Sequence, residues 1–129
     1  MENVPASVFF HGSVTGDQIE REYAASSVLV FPTLCDGFGM VVTEAWSRGL
    51  PVLTTPCAGV TDLLRDRENG LLFPARDPEA IAATILGCAE RRDELRAMRG
   101  AARTTAAAWQ WSDYRAALRA AVVPQPIVP

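Results

Sequence analysis

The hydrophobic pattern of this chain alternates short apolar runs with longer stretches of helical spacing. The short runs predict strands at positions 8–10, 28–31, 51–55 and 71–73. Apolar residues at helical spacing predict helices over 15–26, 40–48 and 60–64, from 77 and from 93 onwards, and over 109–122. Strands that alternate with helices indicate an α/β layer fold with a parallel sheet.

Capping signals support two of these helices. Thr15 followed by Gln18 forms a predicted capping box for the first helix. Asp77 followed by Pro78 is a helix start, with an N-cap acid and a proline at the first position. In the last helix we expect Tyr114, Leu118 and Val122 to face inward, because they repeat at helical spacing.

The segment from Asp36 to Glu44 connects a predicted strand to a predicted helix. Its two glycines, Gly37 and Gly39, can adopt positive φ and allow close approach to the backbone. The amides of the first helical turn, with the helix dipole, favour an anion there. The segment therefore fits a phosphate site with two carboxylates for hydroxyl groups. A turn with structural glycines and solvated carboxylates fits the spacing equally well.

Composition narrows the class of protein. The 129 residues correspond to one domain, with a net charge of −3, and all 12 basic residues are arginine. This charge argues against a nucleic-acid partner, and no apolar run reaches the ~18 residues of a membrane span. The N-terminus lacks the features of a signal peptide. Three widely spaced cysteines argue against a disulfide framework or a zinc knuckle and fit a reducing compartment, so we expect a cytoplasmic protein.

The segment 36–55 resembles the signature of retaining GT-B glycosyltransferases, the family that includes sucrose synthases and bacterial mannosyltransferases. In that family a Glu, seven residues containing Phe-Gly, and a second Glu precede Gly-x-Pro-Val. Here Asp36 takes the first position, Glu44 the second, and Gly49 to Val52 follow. Three further segments, 8–14, 69–73 and 109–122, look like the family's Gly-x-Val strand, its Gly-Leu-Leu strand and its closing helix.

The resemblance implies a role for each residue of the motif. Glu44 would hold the ribose hydroxyls of a sugar nucleotide. Asp36, the candidate catalytic residue, would contact hydroxyls of the transferred sugar, with a shorter reach than the family's Glu. Val14 would lie near the base. The diphosphate and sugar would face the turn formed by Gly37, Phe38, Gly39, Met40 and Val41. The family implies a metal-free reaction without a cofactor, with the nucleotide-sugar as donor substrate.

The resemblance also implies what this chain lacks. Family members have an N-terminal acceptor domain, and two strands and an Arg/Lys pair for the diphosphate precede the region matched here. We therefore expect residues 1–123 to form a partial nucleotide-sugar-binding domain, inactive in isolation, with a disordered tail over 124–129. Its partners would be a nucleotide-sugar and either the missing domain or another copy of itself. The alternatives are a non-catalytic nucleotide-sugar or phosphate-binding module that acts with a partner chain, and an unrelated α/β domain.

The fold implied is a Rossmann-like parallel sheet of about four strands flanked by helices, a partial GT-B C-terminal domain. In the complete family domain two strands separate the counterparts of 8–10 and 28–31. Without them, the first strand pairs with the second, pairs with another copy, or is disordered. We expect direct pairing, because the helix over 15–26 is long enough for a right-handed crossover.

Overall fold

The computed structural model of the protein describes residues 5–122. Helices and strands alternate along most of this range, as the hydrophobic pattern predicts. In chain order the elements are α1 (Gly16–Ala25), β1 (Leu29–Phe31), α2 (Met40–Ser47), β2 (Val52–Thr54), a 3₁₀ helix (Gly59–Leu63), β3 (Gly70–Leu72), α3 (Pro78–Glu90), α4 (Arg92–Ala107) and α5 (Trp111–Val122).

The sheet is parallel and has the order β1-β2-β3. Leu29 is in register with Val52, and Val52 is in register with Gly70. All three residues of the central strand β2 are buried, because it has neighbours on both edges and helices on both faces. The α/β fold with a parallel sheet is therefore confirmed, with three strands in the described residues rather than about four.

The expected pairing of Val8–Phe10 with β1 is wrong. These three residues are 48%, 77% and 82% exposed and form no strand. The Nδ1 atom of the adjoining His11 lies 3.7 Å from the Glu22 carboxylate of α1, so the segment that precedes α1 lies beside that helix. A three-residue strand makes few ladder hydrogen bonds, and these must offset the entropy of ordering the segment. No core residue covers this run, so burial does not add to that balance.

Two hydrophobic clusters form the core. Trp46 of α2 is fully buried in one cluster with Tyr23 of α1, and its indole N–H donates to the Asn69 carbonyl at 2.9 Å. The other cluster contains Leu53 of β2 and Met98 of α4. Helix α4 takes part in both clusters, since its Ala102 belongs to the first. The small side chains near its C-terminal end let α4 pack closely against α2.

The predicted caps of α1 and α3 are confirmed. The Gln18 side chain accepts from the Thr15 amide at 2.8 Å, which is the reciprocal bond of a capping box. The Asp77 carboxylate accepts from the Ala80 amide at 2.9 Å, with Pro78 at the first helical position. Both helix starts are local, so the sequence pattern contained the information needed to find them.

Helix α5 forms where expected but does not pack as expected. Tyr114, Leu118 and Val122 are 55%, 49% and 70% exposed, so the prediction that they face inward is wrong. The helix begins beyond the end of α4, and none of its residues is buried. Its apolar stripe is therefore uncovered by anything in residues 5–122, while the predicted tail over 124–129 lies outside the described residues. Within this range no helix is long and apolar enough to cross a membrane.

Candidate functional site

The Asp36–Glu44 segment lies at the carboxyl edge of the sheet, where parallel α/β sheets bind ligands. Strand β1 ends at Phe31 and the following loop leads into α2. This loop is joined to the loop after β2: the Asp36 amide donates to the Cys57 carbonyl at 3.0 Å, and the Val60 amide donates to the Phe38 carbonyl at 2.7 Å. The turn before α2 is therefore held by the neighbouring loop as well as by its own residues.

Gly39 is the N-cap of α2 and has left-handed backbone angles, with φ 91° and ψ 54°. A Cβ at this position would also lie 3.0 Å from a methyl group of Val60. Gly37 differs, since its φ is not positive and a Cβ added there would have no atom within 4 Å. Only the second glycine of the motif is thus required by conformation.

Gly59 is a further position without room for a side chain, and the sequence analysis missed it. A Cβ at Gly59 would lie 2.6 Å from the carbonyl oxygen of Gly37, so the two loops touch through their backbones. The closest sequence signal is that Gly59 follows Ala58 in a loop after a predicted strand. Nothing in that local pattern indicates that Gly37 would be its neighbour.

The first turn of α2 presents backbone amides to the open side of the loop. The Val42 amide donates to the Gly39 carbonyl at 2.9 Å. The amides of Met40 and Val41 have no intrahelical acceptor, because they precede the first α-helical hydrogen bond. The Phe38 amide, which the resemblance assigns to the ligand, instead donates to the Asp36 carboxylate at 2.9 Å.

Asp36 therefore has a structural contact in addition to its candidate role. Its side chain is half-buried and caps the turn through the Phe38 amide, while its backbone forms a bridge with Ala58. One carboxylate oxygen accepts this bond, and a carboxylate can accept several hydrogen bonds. The geometry thus allows a hydroxyl group to bind the same carboxylate.

Glu44 lies one turn into α2, with its carboxylate held by a tyrosine from α1. The Tyr23 hydroxyl donates to the Glu44 carboxylate at 3.1 Å. Tyr23 is 7% exposed, and its pKa is raised to about 12, first by burial and then by the hydrogen bond and negative charge of Glu44. The phenol therefore stays protonated near neutral pH and orients the carboxylate. The sequence analysis assigned Tyr23 no role in the site.

Arg48 lies at the opposite end of α2 from the amides of Met40 and Val41. It is the C-cap residue of the helix and forms an ion pair with Glu20 of α1. Its guanidinium also lies 5.1 Å from the centre of the Tyr23 ring. Arg48 thus connects α1 to α2 and does not supply a cation at the N-terminus of α2.

Val14 is separate from this group in sequence and in its contacts. It precedes the N-cap of α1 and is 36% exposed. The hydrogen bonds next to it stay within the first turn of α1, where Thr15 bonds to Gln18. The structure places Asp36, Gly39 and the first amides of α2 in one turn, with Glu44 in the next turn of α2. The ligand roles of these residues and of Val14 stay predictions.

The assembled residues form an open surface. Cavities of about 240 and 330 Å³ lie elsewhere in the described part of the chain, and neither includes residues of the Asp36–Glu44 segment. Ligand sites often lie between two domains, where each domain supplies one wall. Among residues 5–122, no group of three His, Cys, Asp or Glu side chains could hold a metal ion.

Comparison with known proteins shows which family this chain resembles. The sequence profile described as "Glycosyl transferases group 1" matches residues 1–91. The D-inositol 3-phosphate glycosyltransferase of Streptomyces scabiei (strain 87.22) is 34% identical over 110 residues, which cover 85% of this chain and 25% of that protein. Sucrose-phosphate synthase from Thermosynechococcus elongatus is similar in structure, with a TM-score of 0.75 and 26% identity over 87% of this chain and 30% of the other.

A second solved structure shares the fold. Anabaena HepE, solved in complex with UDP, has a TM-score of 0.65 and 24% identity, over 70% of this chain and 25% of its own. The chain thus spans about a quarter of the length of these relatives. The match to the family profile covers most of the sequence, and the fold agrees with that of the solved relatives. The chain belongs to the group 1 glycosyltransferases, a family of transferases with the GT-B fold, as its motif indicated.

Proposed function

We propose that this chain is the donor-binding part of a retaining glycosyltransferase that transfers a sugar from a nucleoside-diphosphate sugar to an acceptor. The observation that carries the proposal is the left-handed Gly39, which starts α2 at the carboxyl edge of the sheet with the amides of Met40 and Val41 directed away from the helix. Such amides and the positive end of the helix dipole bind phosphate groups. The UDP in the HepE structure supports a nucleoside diphosphate as the ligand.

Each carboxylate has a distinct part in this proposal. Glu44 accepts the two ribose hydroxyls, and the Tyr23 hydroxyl holds its carboxylate in place at 3.1 Å. Asp36 accepts a hydroxyl of the transferred sugar while it caps the Phe38 amide. Hydrogen bonds to a charged carboxylate contribute about 1.5–3 kcal/mol each, so these two residues dominate the side-chain contribution to affinity.

The chemical step needs little from this chain beyond positioning. An acceptor hydroxyl forms a bond to the anomeric carbon, the bond from that carbon to the diphosphate oxygen breaks, and the leaving diphosphate takes the acceptor's proton. Configuration is retained in this proposal. The amides of Met40 and Val41 stabilise the negative charge that develops on the leaving group. The three cysteines are free thiols, which supports a reducing, cytoplasmic compartment.

We propose that the chain alone does not catalyse sugar transfer. Transfer requires the acceptor and donor to be held together, and the leaving diphosphate requires cationic stabilisation. Arg48, the arginine nearest in sequence to the motif, is paired with Glu20 at the far end of α2. The alternative is a non-catalytic module that binds nucleotide-sugar for a partner chain.

Calorimetric titration with nucleoside diphosphates, the matching monophosphates and their sugar conjugates tests the proposal. We expect a diphosphate to bind more tightly than its monophosphate, and Glu44→Gln to weaken binding about 10- to 100-fold, because two charged hydrogen bonds are lost. Glu90→Gln is the matched control, since Glu90 is an exposed acid at the end of α3. Equal affinity of Glu44→Gln and the parent chain would contradict the ribose role.

A separate assay distinguishes the two candidate functions. The purified chain is incubated with the tightest-binding nucleotide-sugar and a panel of acceptors, and released diphosphate is measured. We expect no release from the chain alone. If diphosphate is released only when an acceptor domain of a relative is added, the chain is the donor-binding part of a glycosyltransferase. If the nucleotide-sugar binds but no diphosphate is released in any combination, the chain is a binding module.

A further inference from the structure

The loops after β1 and β2 repeat one sequence pattern at a spacing of 22 positions. Each loop has threonine, cysteine and glycine at alternate positions, which are 33, 35 and 37 after β1 and 55, 57 and 59 after β2. The Cys35 amide donates to the Thr33 hydroxyl at 3.2 Å, and the Cys57 amide donates to the Thr55 hydroxyl at 3.3 Å. Both loops therefore begin with the same kind of threonine turn, which places each cysteine at the same point of its loop.

The two loops lie side by side, with contacts at this spacing before and after the cysteines. Before them, the Thr55 hydroxyl donates to the Thr33 carbonyl at 2.5 Å. After them, Asp36 pairs with Ala58 in a parallel bridge. The Asp36 amide donates directly to the Cys57 carbonyl at 3.0 Å. The alignment of the two loops is thus fixed on both sides of the cysteine positions.

Cys35 and Cys57 occupy matching positions between these contacts. Backbones joined by parallel pairing lie about 4.7–4.9 Å apart, within the range of about 4.4–6.8 Å between Cα atoms that a disulfide spans. Cys35 is exposed and Cys57 is half-buried, and both are free thiols. A small reagent therefore reaches the first thiol, and the second thiol is its neighbour on the adjoining loop.

We propose that Cys35 and Cys57 are a redox-sensitive pair that forms a reversible disulfide across the carboxyl edge of the sheet. The oxidant is a low-molecular-weight disulfide. The Cys35 thiolate attacks one of its sulfurs, forms a mixed disulfide and releases the first small thiol. The Cys57 thiolate then attacks the Cys35 sulfur and releases the second small thiol. The two protein thiols lose two electrons and two protons, and the oxidant gains them as two thiols.

This pair acts as a sensor and not as a structural bridge. In a reducing compartment the dithiol is the resting form, and disulfides there are usually transient. An excess of small thiol reverses both exchange steps and restores the free cysteines. The pair therefore reports a shift of the thiol pool towards oxidation.

The disulfide restrains the part of the turn that carries Asp36. Cys35 directly precedes Asp36, and a bond from Cys35 to the adjoining loop restricts the backbone torsions that move the Asp36 carboxylate. The amides of Met40 and Val41 lie beyond the restraint, at the start of α2. This step rests on the proposed function, in which Asp36 contacts the transferred sugar and these amides contact the diphosphate. Oxidation is therefore expected to weaken binding of the sugar and to leave the diphosphate unaffected.

The first experiment detects the disulfide without reference to any nucleotide. The full chain is equilibrated with oxidised glutathione, digested with trypsin without reduction and analysed by mass spectrometry. Cleavage after arginine separates the three cysteines into peptides 22–48, 49–65 and 77–91. We expect 22–48 to be linked to 49–65, and dithiothreitol to separate them.

Single cysteine variants identify the pair. Cys35→Ser and Cys57→Ser are each expected to abolish the link and to retain a glutathione adduct on the remaining thiol. Cys88→Ala is the matched control and is expected to keep the link. Cys88 is 8% exposed on α3, and burial raises the pKa of its thiol, so it reacts slowly with the oxidant.

Two further measurements test the consequences of the link. Closing this loop is expected to raise the Tm of the parent chain by about 5–10 °C, and to leave the Tm of Cys35→Ser unchanged under the same oxidant. The oxidised parent is expected to bind the nucleotide-sugar about 10-fold more weakly than the reduced parent, the equivalent of one charged hydrogen bond. Its affinity for the free diphosphate stays the same, and dithiothreitol restores the affinity for the conjugate.

The outcomes separate this inference from the proposed function. Glutathione adducts without a link between 22–48 and 49–65, or a link found only in covalent dimers, would overturn the disulfide. Equal affinity of the linked and reduced chains for the nucleotide-sugar would overturn the redox control of the site. A reduced chain that binds neither diphosphate nor conjugate contradicts the proposed function, whereas the linked peptide in that same chain still supports the disulfide.

Discussion

The hydroxyl of Tyr23 donates a hydrogen bond of 3.1 Å to the carboxylate of Glu44, across 21 positions of sequence. The bond joins α1 to the second turn of α2, and the phenol ring is packed in the core beside Trp46. It therefore connects the carboxylate of the family motif to the core. A residue outside the motif thus contributes to the position of a residue inside it.

Tyr23→Phe tests this contact with the ring retained. We expect the free energy of unfolding to fall by about 1 kcal/mol, because one hydrogen bond is lost and the buried ring stays. Nucleoside diphosphate affinity is expected to fall by less than in Glu44→Gln, since the carboxylate is still present but less well oriented. Tyr114→Phe, at an exposed tyrosine of α5, is the matched control for both measurements. A Tyr23→Phe chain indistinguishable from this control would remove the positioning role.

Alkaline pH provides a second test of Tyr23. Its pKa is about 12 in the folded chain, against 10.0 for a free phenol. Because the folded value is the higher one, the stabilising contribution is complete below pH 10 and is lost as the pH rises towards 12. The contribution at stake is about 2–3 kcal/mol. Denaturant unfolding of the parent chain and Tyr23→Phe between about pH 8 and about pH 11 measures it through linkage. We expect their stability difference to change only above pH 10; a constant difference would contradict the raised pKa.

Gly39 and Gly37 form a matched pair within one turn. Gly39→Ala places a Cβ on a left-handed residue, 3.0 Å from Val60, and we expect it to cost about 1–2 kcal/mol of unfolding free energy. Gly37→Ala meets nothing within 4 Å and requires no positive φ, so its effect is expected to stay within about 0.5 kcal/mol. Thermal or denaturant unfolding of both variants gives the comparison, and equal losses would show that Gly39 has no special conformational role.

Two substitutions of Asp36 separate its cap from its charge. Asp36→Asn keeps an oxygen that can accept from the Phe38 amide, whereas Asp36→Ala removes it. We expect Asp36→Ala to lose about 1 kcal/mol of stability and Asp36→Asn to lose little. In contrast, both variants are expected to bind the sugar conjugate less tightly than the parent, with binding of the free diphosphate unchanged. If Asp36→Asn binds the conjugate like the parent, the charge has no part in sugar binding.

Some features of this protein follow from short stretches of sequence alone. The Asp36–Glu44 motif identified the family, and the caps at Thr15 and Asp77 placed two helix starts correctly. The strands β1 and β2 followed from continuous apolar runs. These features depend on backbone preferences, on bonds within one helical turn, or on burial of a whole run, so neighbouring residues are sufficient to predict them.

Other features were decided only by the tertiary structure, because they depend on which distant surface is nearby. Val8–Phe10 has the composition of a strand, but a strand forms only when its backbone pairs with a neighbouring strand. These residues are exposed, and the adjoining His11 lies beside Glu22 of α1. The stripe of α5 that contains Leu118 has helical spacing, but spacing does not say which surface will cover it. The contacts of Tyr23 with Glu44 and of Gly59 with Gly37 join separate elements. Periodicity determines which face of an element is apolar, and only packing determines what that face meets.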